Sequence, residues 1–191
     1  MSFKRLASGG SIDRDKPVKF RFNGRKLKGF AGDTLASALL ANEKILVGRS
    51  FKYHRPRGIV GAGAEEPNAL FTIGKNVLEQ PNVVGPTLEL TEDLRAKSQN
   101  AWPSVGFDFR AINQFFAPLF GAGFYYKTFM GPRRKSWMFY EPHIRKAAGL
   151  GQTGTQGTDQ RHDTRNAFCD VLVIGSGPAG LSVRRETWQQ T

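Results

Sequence analysis

A strand-like alternation with a hairpin turn near one end, and an apolar run opening onto spaced glycines near the other, predict an α+β chain. The expected order is an N-terminal β-grasp unit of ferredoxin-like shape with its cluster lost, an aromatic-rich linker, and the incomplete start of a Rossmann-type FAD/NAD(P)-binding domain. The expected boundaries are residues 17–95, 96–166 and 167–191.

Val18, Phe20 and Phe22 alternate with Lys19 and Arg21, the period-two pattern of a half-buried strand. Asn23-Gly24 follows, a pair suited to a two-residue hairpin because both central residues need positive φ. Arg25–Phe30 resumes the alternation as a return strand. Asp33 or Thr34 then caps a short apolar helix over Leu35–Ala41, packed back on the hairpin. A hairpin followed by a helix is how a β-grasp unit begins. Residues 72–90 read as one or two further strands, with turns at Pro81-Asn82 and Gly85-Pro86, that close the sheet.

A plant-type [2Fe–2S] unit would place a cysteine-bearing loop after the helix. The matching stretch, residues 47–70, contains no cysteine. Because thiolates hold iron in such sites, the expectation is a scaffold with no iron–sulfur cluster. The loop carries Arg49, Lys52, His54, Arg55 and Arg57, interleaved with Phe51 and Tyr53. Basic and aromatic residues in this mixture grip phosphates and stack on flat rings. The alternatives are a solvated or interdomain face paired with Glu65 and Glu66, and a nucleic-acid contact. His54, with no second ligand beside it, reads as structural.

From Ala101 to Tyr140 the chain is dense in large aromatics, including Phe107, Phe109, Phe115, Phe116, Phe120, Phe124, Tyr125, Tyr126, Phe129, Trp137 and Phe139. Pro103, Pro118, Pro132 and Pro142 break this segment into short pieces, and it reads as a surface packed on another domain or subunit. Residues 140–149 suggest a short helix ending at Gly149, and residues 152–165 a polar, flexible linker. Cys169, ahead of an apolar run with no base nearby, reads as a buried, inert thiol.

The 191 residues carry a net charge of +12, of which +10 falls within residues 1–57. Such a balance suits an acidic partner. A single cysteine excludes an internal disulfide framework and fits a reducing, cytoplasmic setting. The N-terminus lacks the apolar run of a signal peptide, and Phe115–Phe124 is too short to span a bilayer. Neither a membrane nor a nucleic-acid partner is expected.

Asp170–Ile174 and the glycines after it carry the sharpest motif. Gly175, Gly177 and Gly180 have the G-x-G-x-x-G spacing of a dinucleotide-binding turn, with Ser176, Pro178 and Ala179 between them. The first glycine permits the turn and the second lets backbone approach a pyrophosphate. The third lets helix and strand pack closely. A small-residue helix, a second strand and an acidic residue about 20 positions on should follow. Val183–Thr191 supplies none of these. The expectation is a truncated product, read out of frame after about Ser182, with the glycine turn loosely ordered and unable to bind NAD alone.

In order along the chain, five segments resemble the α subunit of heterotetrameric sarcosine oxidase. They are Gly48–Ile59, Glu65–Leu70, Ser98–Pro103, Ala122–Met130 and Phe168–Leu181. The stretch Arg49–Gly58 is also similar to related amine and amino-acid dehydrogenase subunits. The resemblance implies oxidative demethylation of sarcosine to glycine, with formaldehyde or methylenetetrahydrofolate and hydrogen peroxide. It implies partner β, γ and δ subunits, NAD on the full-length α subunit, and FAD and FMN held through the β subunit. Only Gly175, Ser176, Gly177, Pro178, Ala179 and Gly180 map onto a cofactor-binding motif, and no catalytic residue of the family falls on this chain. The alternative is a non-catalytic β-grasp adaptor that docks on flavoprotein subunits.

Overall fold

The computed structural model describes residues 5–119, 121, 123, 131, 136–149, 151, 154, 163–175 and 177–188. Two compact units are distinguished, residues 1–157 and 158–191.

The first unit is built on a hairpin. β1 (Asp13–Phe22) and β2 (Arg25–Ala31) pair antiparallel through Phe22↔Arg25, Phe20↔Leu27 and Val18↔Gly29. The turn between them places Asn23 at φ 48° and Gly24 at φ 79°, the positive values the Asn-Gly pair favours. The register shifts between Asp13 and Pro17, where proline cannot donate to a ladder.

Thr34 caps α1 (Leu35–Ala41) in a reciprocal box with Ser37, each side chain accepting from the other residue's N–H. Asp33 beside it is 1% exposed. It accepts from the Phe30 N–H, from Ser37 Oγ and from both terminal nitrogens of Arg5, which ties the N-terminal segment to the helix start. α1 lies close on β2 because Gly29 has no side chain. A Cβ there would meet Leu90, Asp33 Oδ2 at 3.0 Å and Ala38 Cβ at 3.2 Å.

Two-residue strands β3 (Gly48–Arg49) and β4 (Pro56–Arg57) form a small separate ladder. β5 (Leu70–Ile73), β6 (Gln80–Val84) and β7 (Arg95–Ser98) complete a five-stranded sheet of order β2-β1-β7-β5-β6. β1 and β7 are parallel, and the other neighbours are antiparallel. Pro81 and Asn82, expected as a turn, lie within β6, while Gly85–Thr87 forms a 3-10 turn.

Phe20, Phe22 and Leu27 from the hairpin meet Leu35, Ala38 and Leu39 of α1, together with Phe71, Leu90 and Ala96. Phe22 and Phe71 stack edge to face, with ring centroids 5.7 Å apart. Later in the chain, α2 (Trp137–Ala148) ends at Gly149 in the left-handed conformation. The linker expected over residues 152–165 falls mostly outside the described residues, as do Phe120, Phe124, Tyr125, Tyr126 and Phe129.

In the second unit, α3 (Pro178–Trp188) forms, but residues 171–175 adopt no strand and pair with nothing. The predicted buried strand is corrected here. Val171, Leu172 and Ile174 are 63%, 72% and 88% exposed, because no second strand accepts their backbone groups. Cys169 is exposed for the same reason, against the expectation of burial. Among the described residues no helix is long and apolar enough to cross a membrane.

Candidate functional site

The short ladder of β3 and β4, with the loop between them, carries the basic residues singled out by sequence. The β3–β4 loop turns His54 inward at φ 54°, leaving it 1% exposed. Its Nδ1 lies 2.7 Å from Asp108 Oδ2. Oδ1 of the same carboxylate accepts from the backbone N–H groups of Trp102 and Arg110 at 3.0 and 3.1 Å. Arg49 donates from Nε to the Val105 carbonyl at 2.8 Å and from Nη1 to the His54 carbonyl at 3.2 Å. Asn100 Nδ2 donates to the carbonyls of Arg49 and Ser50. The basic loop is therefore clamped on the segment from Asn100 to Arg110, and Arg49 is spent on backbone carbonyls.

The other cations divide by position. Lys52 and Arg55 each stand 5.0 Å from the Tyr53 ring centroid, a cation–π arrangement. Arg57 is exposed. A cavity of about 220 Å³ is lined by Arg49, Ser50, Arg57, Asn68, Gln99 and Asn100.

Glu66 takes a part that the alternating charges do not announce. The alternative in which Glu65 and Glu66 pair with the basic loop is corrected, because both carboxylates accept from backbone N–H groups of their own loop. Glu66 is 3% exposed and turns into its own loop. One oxygen accepts from the N–H groups of Val60, at 2.7 Å, and Gly61. The other accepts from Asn68 and Ala69 at 2.8 and 3.1 Å. Burial raises its pKa, and the four backbone donors outweigh burial, so the carboxyl sits below its ordinary value. This is a backbone nest closed around an internal anion. Glu65 stays exposed and accepts from the Gly63 N–H.

Asp108, Asn100 and the turned-in Glu66 escaped the sequence reading. The available signal was local: Asp108 precedes a 3-10 turn over Phe109–Gln114 and caps it through Arg110 N–H. Around that turn, Trp102, Phe107 and Phe109 cluster, with Trp102–Phe109 and Phe107–Phe109 centroids 5.5 and 4.9 Å apart. All three rings are more than half exposed.

In the second unit, the glycine turn is partly assembled. Gly175 has φ 115°, and a Cβ on Gly180 would collide with the Gly175 carbonyl oxygen. That close approach is the packing task assigned to the third glycine. A Cβ on Gly177 would meet nothing within 4 Å. Pro178, Ala179 and Gly180 open α3, while Ser176 lies outside the described residues. The open Gly177 backbone and the start of α3 fit a pyrophosphate, whereas the unpaired run before them leaves the turn without a sheet to hold it.

Residues 15–101 match the family described as 2Fe-2S iron-sulfur cluster binding domain. That match overturns the expectation of a scaffold with no iron–sulfur cluster. The donors on view do not themselves fit such a group. The matched segment contains no cysteine, and no three His, Cys, Asp or Glu residues among those described are grouped to hold a metal. No chemical step is routed through a cluster.

The chain is 54% identical over 182 residues to sarcosine oxidase subunit alpha of Rhizobium meliloti, covering 95% of this chain and 18% of that protein. It is 30% identical to sarcosine oxidase subunit alpha of Corynebacterium sp. strain U-96, covering 94% of this chain and 14% of the relative. A solved structure of L-proline dehydrogenase from P. horikoshii is 22% identical and aligns with a TM-score of 0.37. That alignment covers 48% of this chain and 17% of the other, and the likeness is too loose to argue from. Over nearly its whole length the chain is thus homologous to a part of proteins named sarcosine oxidase subunit alpha, spanning about a fifth or less of their length.

Proposed function

We propose that this chain is the scaffold portion of a flavoenzyme-type oxidoreductase subunit that works in sarcosine oxidation. The observation that carries the reading is the 54% identity sustained over 95% of the chain. In this reading the whole enzyme converts sarcosine to glycine, with formaldehyde or methylenetetrahydrofolate and hydrogen peroxide as the other products. FAD and FMN sit with the β subunit, and γ and δ subunits complete the assembly.

No residue of this chain is given a catalytic role. The sheet unit supplies a rigid platform, and the exposed Trp102, Phe107 and Phe109 cluster supplies apolar area for a neighbouring domain or subunit. Gly175, Ser176, Gly177, Pro178, Ala179 and Gly180 would hold the NAD pyrophosphate at the start of α3. NAD, when bound, supplies a hydride acceptor. The glycines' task is to let backbone come close to the phosphates without a side chain between.

The reading is tested by exchange. The homologous segment of the Rhizobium meliloti α subunit is replaced by this chain, and peroxide release is followed with sarcosine. Retained sarcosine-dependent release is the expected result. A chimera that assembles with its partners yet releases no peroxide overturns the proposal.

A further inference from the structure

One face of the sheet carries a cationic array with which no acidic side chain among the described residues forms an ion pair. Strand registry places Lys19 opposite Lys28, and Arg21 opposite Lys26 on one side and Arg95 on the other. Their strand neighbours Phe20, Phe22, Leu27 and Ala96 point into the core, so these five side chains share the opposite face. Residues two apart along a strand lie about 7 Å apart and adjacent strands about 5 Å apart, so five positive charges occupy one small patch.

Like charges placed directly opposite one another destabilise a sheet. A merely solvated face would mix the signs, as this sheet does next door. Lys97, on the same face of β7, is paired with Glu79 at 2.6 Å. Among the described residues, no acidic side chain pairs with any of the five. The nearby carboxylates sit at the rim: Glu92 accepts from the Lys19 backbone N–H, and Asp93 donates its own N–H to the Lys19 carbonyl. A groove of about 640 Å³ is lined by Lys19, Arg21, Lys26 and Lys28 with Asn42 and Asp93.

We propose that this face is a docking surface for an acidic face of a partner protein. Charge complementarity identifies the occupant, and two features favour protein over nucleic acid. Among the described strand residues the aromatic ring that alternation puts on this face, Phe30, is covered by the Arg5 guanidinium at 5.3 Å and so is closed to base stacking. The rim carboxylates Glu92 and Asp93 repel a continuous phosphate backbone, whereas a protein surface of mixed sign accommodates them. The inference rests on register and charge, independently of the sarcosine reading.

The test uses the whole chain and a labelled poly-glutamate peptide, with a DNA duplex of equal charge as the competing probe. Anisotropy should show saturable peptide binding at low salt that weakens roughly tenfold or more as salt screens the contact. R21E/K28E turns each opposed pair into one of mixed sign, so the sheet should melt at an equal or higher temperature while peptide binding falls at least tenfold. R55E/R57E changes the net charge equally at exposed sites of the separate β3–β4 segment and should leave binding within about twofold. Should R21E/K28E fail to fold, K19Q/R95Q removes two of the charges without reversing them and should also weaken binding. No peptide binding, equal loss in the control variant, or tighter binding of the duplex than of the peptide would each overturn the proposal.

Discussion

Glu66 and His54 are both buried polar residues, and each is held by a different kind of partner. Glu66 has four backbone donors, so Glu66→Gln leaves amides facing an amide group that offers one acceptor in place of two. We expect a loss of about 1–3 kcal/mol in denaturant unfolding at neutral pH. The acid dependence follows from the sign of the shift. The folded pKa lies below the ordinary 4.5, so the carboxylate's contribution is present above that value and fades as pH falls through the lower folded value. Unfolding followed from pH 6 to pH 3 should show this slope in the native chain and a shallower one in Glu66→Gln. An identical slope would remove the nest from the account. For His54 and Asp108, each change to alanine should cost about 1–3 kcal/mol, and the double variant should cost less than the sum because the two share one contact. Simple additivity would mean the clamp is held by Arg49 and Asn100 instead. The partner of the His54 ring was not legible in the sequence, because Asp108 lies 54 residues away and only the fold brings them together.

Elements whose residues announce a period were read closely, except that β1 begins at Asp13, five residues before the alternation at Val18. The hairpin, its Asn23-Gly24 turn and α1 follow from alternation, positive φ and capping, all of which are local. β7 escaped because Arg95-Ala-Lys-Ser has no β-branched or aromatic residue, and it is a strand only because β1 and β5 flank it. The run at Asp170–Ile174 failed in the opposite sense. Its residues favour a strand, but propensity cannot supply the missing neighbour. The packing of α1 on β2 gives a prediction at this scale. Gly29→Val places carbon against Leu90, Asp33 and Ala38, and overpacking of that kind costs about 1–3 kcal/mol. A thermal melt unchanged by the substitution would show that α1 can ride outward freely.

At the scale of the molecule, the chain is two units of unequal completeness. The first has a closed core around Phe20, Leu35, Leu39 and Phe71, each at most 1% exposed. The second presents Val171, Leu172 and Ile174 to solvent in front of its glycine turn. Titration of the chain with NAD, read by tryptophan fluorescence or calorimetry, should therefore show no saturable binding. Tight binding would mean that α3 and the glycines suffice without a paired strand. The first unit also has a history written into its strand order. β1 is an inner strand, paired with β2 on one side and on the other with β7, a strand more than 70 residues later in the chain. During synthesis at about 5–20 residues per second, the finished hairpin waits roughly 3–13 seconds with one edge unpaired. That open edge can be taken by another nascent chain, so yield should depend on how fast residues 32–98 follow the hairpin.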